Sequence, residues 1–193
     1  MTEHEFKTFW QKQYPEAYPI KHELKWVYPK RWLRMHSLPE SKRYADTEAE
    51  YQIILRRQNQ LLDALIGEGT FIFSSFLQYT EDLSNIHYRQ LPDFTAFQKT
   101  WTIDLHQERP EEHESDQPID IFVKREKWQS GGKDELLRAI ADDVVRVMFI
   151  CPSKNCIVAP YDGGVDVIVD STDRRDALKQ KYKDWLSATE SGL

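Results

Sequence analysis

Residues 145–169 read VRVMFICPSKNCIVAPYDGGVDVIV, and the pattern of this stretch decides the fold. Residues 147–151 form one apolar run and residues 156–159 a second. Val165, Val167 and Val169 then alternate with Asp166, Ile168 and Asp170, the period of two that belongs to a strand. Between the second and third runs, Tyr161-Asp162-Gly163-Gly164 offers the positive φ angles of a tight reversal. Pro152-Ser153-Lys154-Asn155 is a weaker turn signal before it. The stretch therefore predicts three short strands in an antiparallel meander.

Working outward, residues 172–188 predict a helix capped by Ser171, with Leu178, Tyr182, Trp185 and Leu186 on its apolar face. Asp173 and Asp176 near its start and Lys179, Lys181 and Lys183 later suit the helix dipole. On the other side, Leu137, Ile140, Ala141 and Val144 give helical spacing over 133–145. Gly131-Gly132-Lys133 has the composition of an anion loop. It lacks the Walker spacing, and Asp134 and Glu135 repel an anion, so it reads as a helix start. Residues 70–79, 94–104 and 119–128 are rich in β-branched and aromatic residues and predict strands.

The clearest helix is 47–66. Thr47 and Glu50 form a capping box, Tyr51, Ile54, Leu55, Leu62 and Leu65 form a stripe, and Gly67 and Gly69 stop it. After Pro29, Trp32, Arg34 and His36 alternate with Leu33, Met35 and Ser37, so a strand is expected with Leu33 and Met35 inward and Arg34 and His36 outward. Residues 39–44 follow as a polar loop with a cationic end. Residues 2–13 predict a helix with a Thr2/Glu5 capping box and a Phe6, Phe9 and Trp10 face, ended by Pro15 and Pro19. Residues 80–93 are irregular. Residues 106–118, HQERPEEHESDQP, read as a mobile acidic loop, and the spacing of His106 and His113 matches no metal site. The expected fold is α+β in a single domain over 1–193, with residues 1–30 as an N-terminal helix and connector. Its mostly antiparallel sheet has about five to seven strands and carries three or four packed helices, the C-terminal helix among them.

The chain carries a net charge of −6, unevenly spread. Residues 1–45 hold nine Lys/Arg against five Asp/Glu, and the remainder holds 17 against 27. An acidic body disfavours nucleic-acid binding, which needs clustered cations. Cys151 and Cys156 are the two cysteines and read as free buried thiols of a reducing compartment. The opening shows no signal-peptide pattern, and no stretch approaches the ~18 apolar residues of a spanning helix, so a cytoplasmic protein without a membrane partner is expected. No cofactor or metal is implied.

No nucleophile elbow, zincin helix, Walker motif or dinucleotide loop is present. Three constellations remain. Arg31, Arg34, His36, Lys42, Arg43 and Tyr44 could bind a carboxylate or phosphate, because guanidinium groups do so bidentately, or could form a solvated strand face. Tyr161, Asp162 and Asp166 at the hairpin could do acid–base work or serve turn geometry. Trp185-Leu186-Ser187 could seat a partner, although packing on the sheet satisfies the same residues. The opposite charges of the first two predict a meeting: Arg34 or Arg43 with Asp162 or Asp166, and His36 and Tyr161 at the same locus. That locus is either a structural staple or a polar pocket.

The segments 31–69, RWLRMHSLPESKRYADTEAEYQIILRRQNQLLDALIGEG, and 160–187, PYDGGVDVIVDSTDRRDALKQKYKDWLS, resemble a bacterial family catalogued as a domain of unknown function, number 3885, as does the closing Ser-Gly-Leu at 191–193. Residues 34–44 and 160–166 are the most specific strings. The resemblance implies a small, soluble, bacterial, stand-alone domain and supplies no catalytic assignment. Two functional expectations follow from the residues. The first is a non-catalytic binding domain, immunity-like or regulatory, that docks a protein partner. The second is an enzyme or small-molecule sensor acting on an anionic ligand at Arg34, His36, Arg43 and Tyr44, with Tyr161, Asp162 and Asp166 beside them.

Overall fold

The computed structural model describes residues 3–79, 92–108, 111 and 118–186. Its frame is one seven-stranded sheet: β1 (Trp32–His36), β2 (Phe71–Tyr79), β3 (Gln98–Asp104), β4 (Pro118–Lys127), β5 (Met148–Cys151), β6 (Cys156–Tyr161) and β7 (Gly164–Ile168). Their order across the sheet is β1-β7-β6-β5-β2-β4-β3, and every neighbouring pair is antiparallel. The meander read from residues 145–169 is β5-β6-β7, at the centre of the sheet. The first strand of the chain closes onto the last, so β1 pairs with β7 with Arg34 directly opposite Asp166.

The central strands are apolar on both faces because both faces are covered. On one face Leu33, Met35, Phe149, Val158, Val165 and Val167 pack against α3 (Glu48–Leu65), α5 (Asp134–Ala141) and α6 (Thr172–Lys181). On the other, Phe73, Met148, Ile150, Ile157 and Ala159 meet Phe6, Trp10 and Leu24 of α1 (Glu3–Gln13) and α2 (Lys21–Val27). A sheet buried on both sides loses strict polar alternation and reads as continuous hydrophobic runs. The two apolar layers share one sheet, and the fold is α+β.

Local chemistry explains both ends of α3 and the start of α6. The Thr47 hydroxyl accepts from the Glu50 N–H and starts α3. Ser171 does the same for α6 through Arg174. Gly67 and Gly69, with φ of 87° and 74°, end α3 in the left-handed region.

Several expectations are corrected. The helix expected over 133–145 stops at Ala141. Asp143 takes a left-handed φ of 54°, its N–H bonds the Ile140 carbonyl, and the Val144 N–H reaches back to Ala139. This is a Schellman termination with aspartate in the position usually held by glycine, and it leaves Val144 46 % exposed instead of in the core. The C-terminal helix ends at Lys181 and continues as a 3₁₀ turn, Lys183–Trp185. Residues 105–108 form the one-turn α4 (Leu105–Glu108), and β4 begins at Pro118, so both ends of the stretch expected to be a loop are structured. Helix α2 was not expected. Only Leu24 of its seven residues is buried, so helical periodicity has almost nothing to register. Thr2, His113, residues 80–91, the interior of the acidic loop and residues 187–193 lie outside the described residues.

Candidate functional site

The β1–β7 register makes the site. Arg34 and Asp166 are cross-strand partners, and the guanidinium donates twice, from Nε to Oδ1 at 2.7 Å and from Nη2 to Oδ2 at 3.0 Å. Arg43, at the end of the loop after β1, donates from Nε to Asp162 Oδ2 at 2.6 Å. That loop is unusual in having two consecutive non-glycine residues, Glu40 and Ser41, in the left-handed region, each with φ 57°. Residues held there typically cost ~1–3 kcal/mol each and need their surroundings to fix them. Here Lys42, bonded to Glu50 at 2.5 Å, and Arg43 anchor the loop's far end.

Asp162 is nearly fully buried. Burial alone raises a carboxyl's pKa, but the hydrogen bonds from Arg43 and Tyr44, the charge of Arg43 and the Gly163 N–H together hold Asp162 below its usual value. Tyr44 is 49 % exposed, with the Arg43 guanidinium 5.1 Å above its ring. His36 is the last residue of β1, opposite Gly164 of β7. Burial and then the charge of Arg34 depress its pKa, and its Nε2 is buried with no hydrogen-bond partner among the described residues.

In front of the staple is a cavity of about 620 Å³ on the α1/α2 face. Five of the predicted residues, Arg34, Arg43, Tyr161, Asp162 and Asp166, line it; His36 and Tyr44 do not. The expected meeting of the two strings is therefore found, with two arginine–carboxylate pairs where at least one was expected.

Lys21, Arg146 and Ser75 are among the wall residues that sequence reasoning missed. Lys21, the first residue of α2, donates from Nζ to the Pro160 carbonyl at 3.1 Å and lies 4.4 Å from the Tyr161 ring centroid. Arg146 pairs with Asp143 at 3.0 Å across the left-handed turn. Ser75 of β2 is 1 % exposed, and its hydroxyl has no hydrogen-bond partner among the described residues. Ser75 was legible in principle, because it interrupts the apolar face shared by Phe73 and Leu77. Lys21 carried no signal, since its helix did not.

Asp166, Asp162 and Asp143 are matched by Arg34, Arg43 and Arg146. Lys21 and Lys25 also line the cavity and have no carboxylate partner among the described residues. The wall is thus cationic in an otherwise acidic chain. Burial, reinforced by Arg146 and Arg34 and opposed by Asp166, lowers the Lys21 pKa to about 8. Among the described residues no group of three His, Cys, Asp or Glu side chains is placed to hold a metal ion.

Cys151 and Cys156 are paired across β5 and β6, free and fully buried. The hydrogen bond from Cys156 lowers Cys151 to about 6 and raises Cys156. They sit on the face of the sheet opposite the cavity. No described helix is long and apolar enough to cross a membrane.

No curated protein and no solved structure matches the chain. One family does, the domain of unknown function DUF3885, over residues 20–190. That span begins just before Lys21 and covers β1, the loop to Tyr44 and the 160–166 hairpin. With nearly its whole length matched, the chain belongs to the DUF3885 family.

Proposed function

We propose that this chain is a binding domain whose cleft, between α2, β1, β2 and the β6–β7 hairpin, takes a small anionic ligand, a carboxylate or phosphate. The observation that carries this reading is the cavity wall itself. It has two cations beyond those matched by its carboxylates, and a buried serine hydroxyl left without a partner. A buried hydroxyl with no partner forfeits ~1–3 kcal/mol of hydrogen bonding, and a ligand oxygen would restore it. Concave pockets with a few convergent polar groups are where small molecules bind. The Arg34–Asp166 and Arg43–Asp162 pairs act as the frame, and Lys21, Lys25 and Ser75 act as the contacts.

The test is a thermal-shift screen of small carboxylates and phosphates at matched ionic strength. A ligand at a hundred times its Kd stabilises by ~2.7 kcal/mol, a rise of roughly 5–11 °C for a chain of this length. A rise that is lost in Lys21→Met is the expected result. A panel in which no compound moves the transition contradicts the reading.

A second reading has its own support. Trp26 is 71 % exposed on α2, with the ammonium of the cavity-lining Lys25 4.6 Å from its ring centroid. Exposed tryptophan beside a cation is a common anchor for a protein partner. The acidic body would favour a basic partner surface. Recovery of one specific protein from a bacterial host lysate at low and moderate salt, lost in Trp26→Ala, supports this reading; no specific recovery at either salt removes it. The two free thiols support a reducing, cytoplasmic setting.

A further inference from the structure

We propose that Lys21 is a reactive amine, and that the cleft's ligand is an anionic oxo compound whose carbonyl condenses with it to an imine. This rests on the anion-binding reading of the same cleft and adds the class of ligand. Lys21 and Arg34 share one aromatic ring: Nζ lies 4.4 Å and the guanidinium carbon 5.0 Å from the Tyr161 centroid. Two cations on one ring, partly withdrawn from water, disfavour each other. Arg34 cannot relieve this, because a guanidinium stays protonated throughout the accessible pH range and is held bidentately by Asp166. The proton that can leave is on Lys21. That residue has a single carbonyl as its hydrogen-bond acceptor and no carboxylate of its own among the described residues. Burial, first of all, brings its pKa down to about 8, with Arg146 and Arg34 adding to the effect and Asp166 and Asp162 opposing it. A lysine desolvated beside another cation is one of the recognised ways of making an amine nucleophilic.

The step balances without a redox partner. The neutral Nζ donates its lone pair to the carbonyl carbon, forming the C–N bond, and the carbonyl π pair moves to oxygen, which takes one proton from the nitrogen. The carbinolamine then loses its hydroxyl, with the second nitrogen proton, as water while the nitrogen lone pair forms the C=N bond. Lys25 and the Ser75 hydroxyl remain to meet the anionic end of the same ligand.

The experiment uses the full chain with pyridoxal 5′-phosphate, an anionic aldehyde, at equimolar concentration. Borohydride reduction and peptide mass mapping follow. The expected result is one dominant reduced adduct on Lys21. It forms faster than with uncharged pyridoxal, is slowed by pyruvate and is absent from a Lys21→Arg variant whose circular dichroism is unchanged. If that variant fails to fold, the mapped position and the pyruvate competition on the natural chain decide. Label spread evenly over surface lysines overturns the proposal. Calorimetric binding of inorganic phosphate without labelling of Lys21 overturns the imine and leaves the anion site standing. Neither binding nor labelling overturns both.

Discussion

Arg34 and Asp166 show how much one register decides. Their identities were visible as a cation and a carboxylate on strands that alternate, but their meeting depends on the long-range choice of β7 as the neighbour of β1. Each is mostly buried, with side-chain exposures of 19 % and 10 %, so their coupling exceeds that of a surface pair. We expect Arg34→Ala, Asp166→Ala and the double variant, followed by urea unfolding, to give a coupling energy of ~0.5–3 kcal/mol. Additive effects of the two substitutions contradict the staple. Lys21 gives a pH prediction. Its folded value of about 8 lies below the ordinary 10.5, so between the two the unfolded chain binds more protons and stability rises with pH. The stability of the natural chain relative to Lys21→Met therefore shifts in favour of the natural chain between pH 8 and pH 10. A difference that stays flat across that window shows that Lys21 is not held in the cleft as described.

At the scale of elements, sequence patterns located those whose periodicity reports burial. Helix α3 has a cap, a stripe and a glycine stop, and the hairpin has its aspartate–glycine turn. Helix α2 buries one leucine, and α5 ends at an aspartate that takes a conformation more typical of glycine. Neither feature leaves a periodic trace, which is why Lys21 and the exposed Val144 were not foreseen. The hairpin glycines differ in what they do. A Cβ on Gly164 would sit 2.2 Å from the Met35 carbonyl oxygen, so this glycine permits the approach of β1. Gly164→Ala must push β1 away. Overpacking of this kind typically costs ~1–3 kcal/mol, and loss of the adjoining arginine pairs would add to it. Chemical denaturation checks this; a variant within ~0.5 kcal/mol of the natural chain would mean β1 is not held at that distance.

For the whole molecule, the consequence of placing helices on both faces of one sheet is cooperativity. Neither apolar layer has a sheet of its own, so near-ultraviolet and far-ultraviolet signals should report one transition; two separated transitions would mean the layers melt independently. The same architecture sets the cleft. Helices α3, α5 and α6 cover one face of the sheet, whereas the other is covered by α1 and by the seven-residue α2. Lys21, Arg34, Ser75 and Tyr161 line the space that remains. The most direct test of that claim is a ¹H–¹⁵N correlation titration of the full chain with inorganic phosphate at constant ionic strength. The account predicts saturable shifts concentrated at Lys21, Arg34, Ser75, Tyr161 and their strand neighbours. Shifts scattered over exposed lysines, or none that saturate, would contradict it.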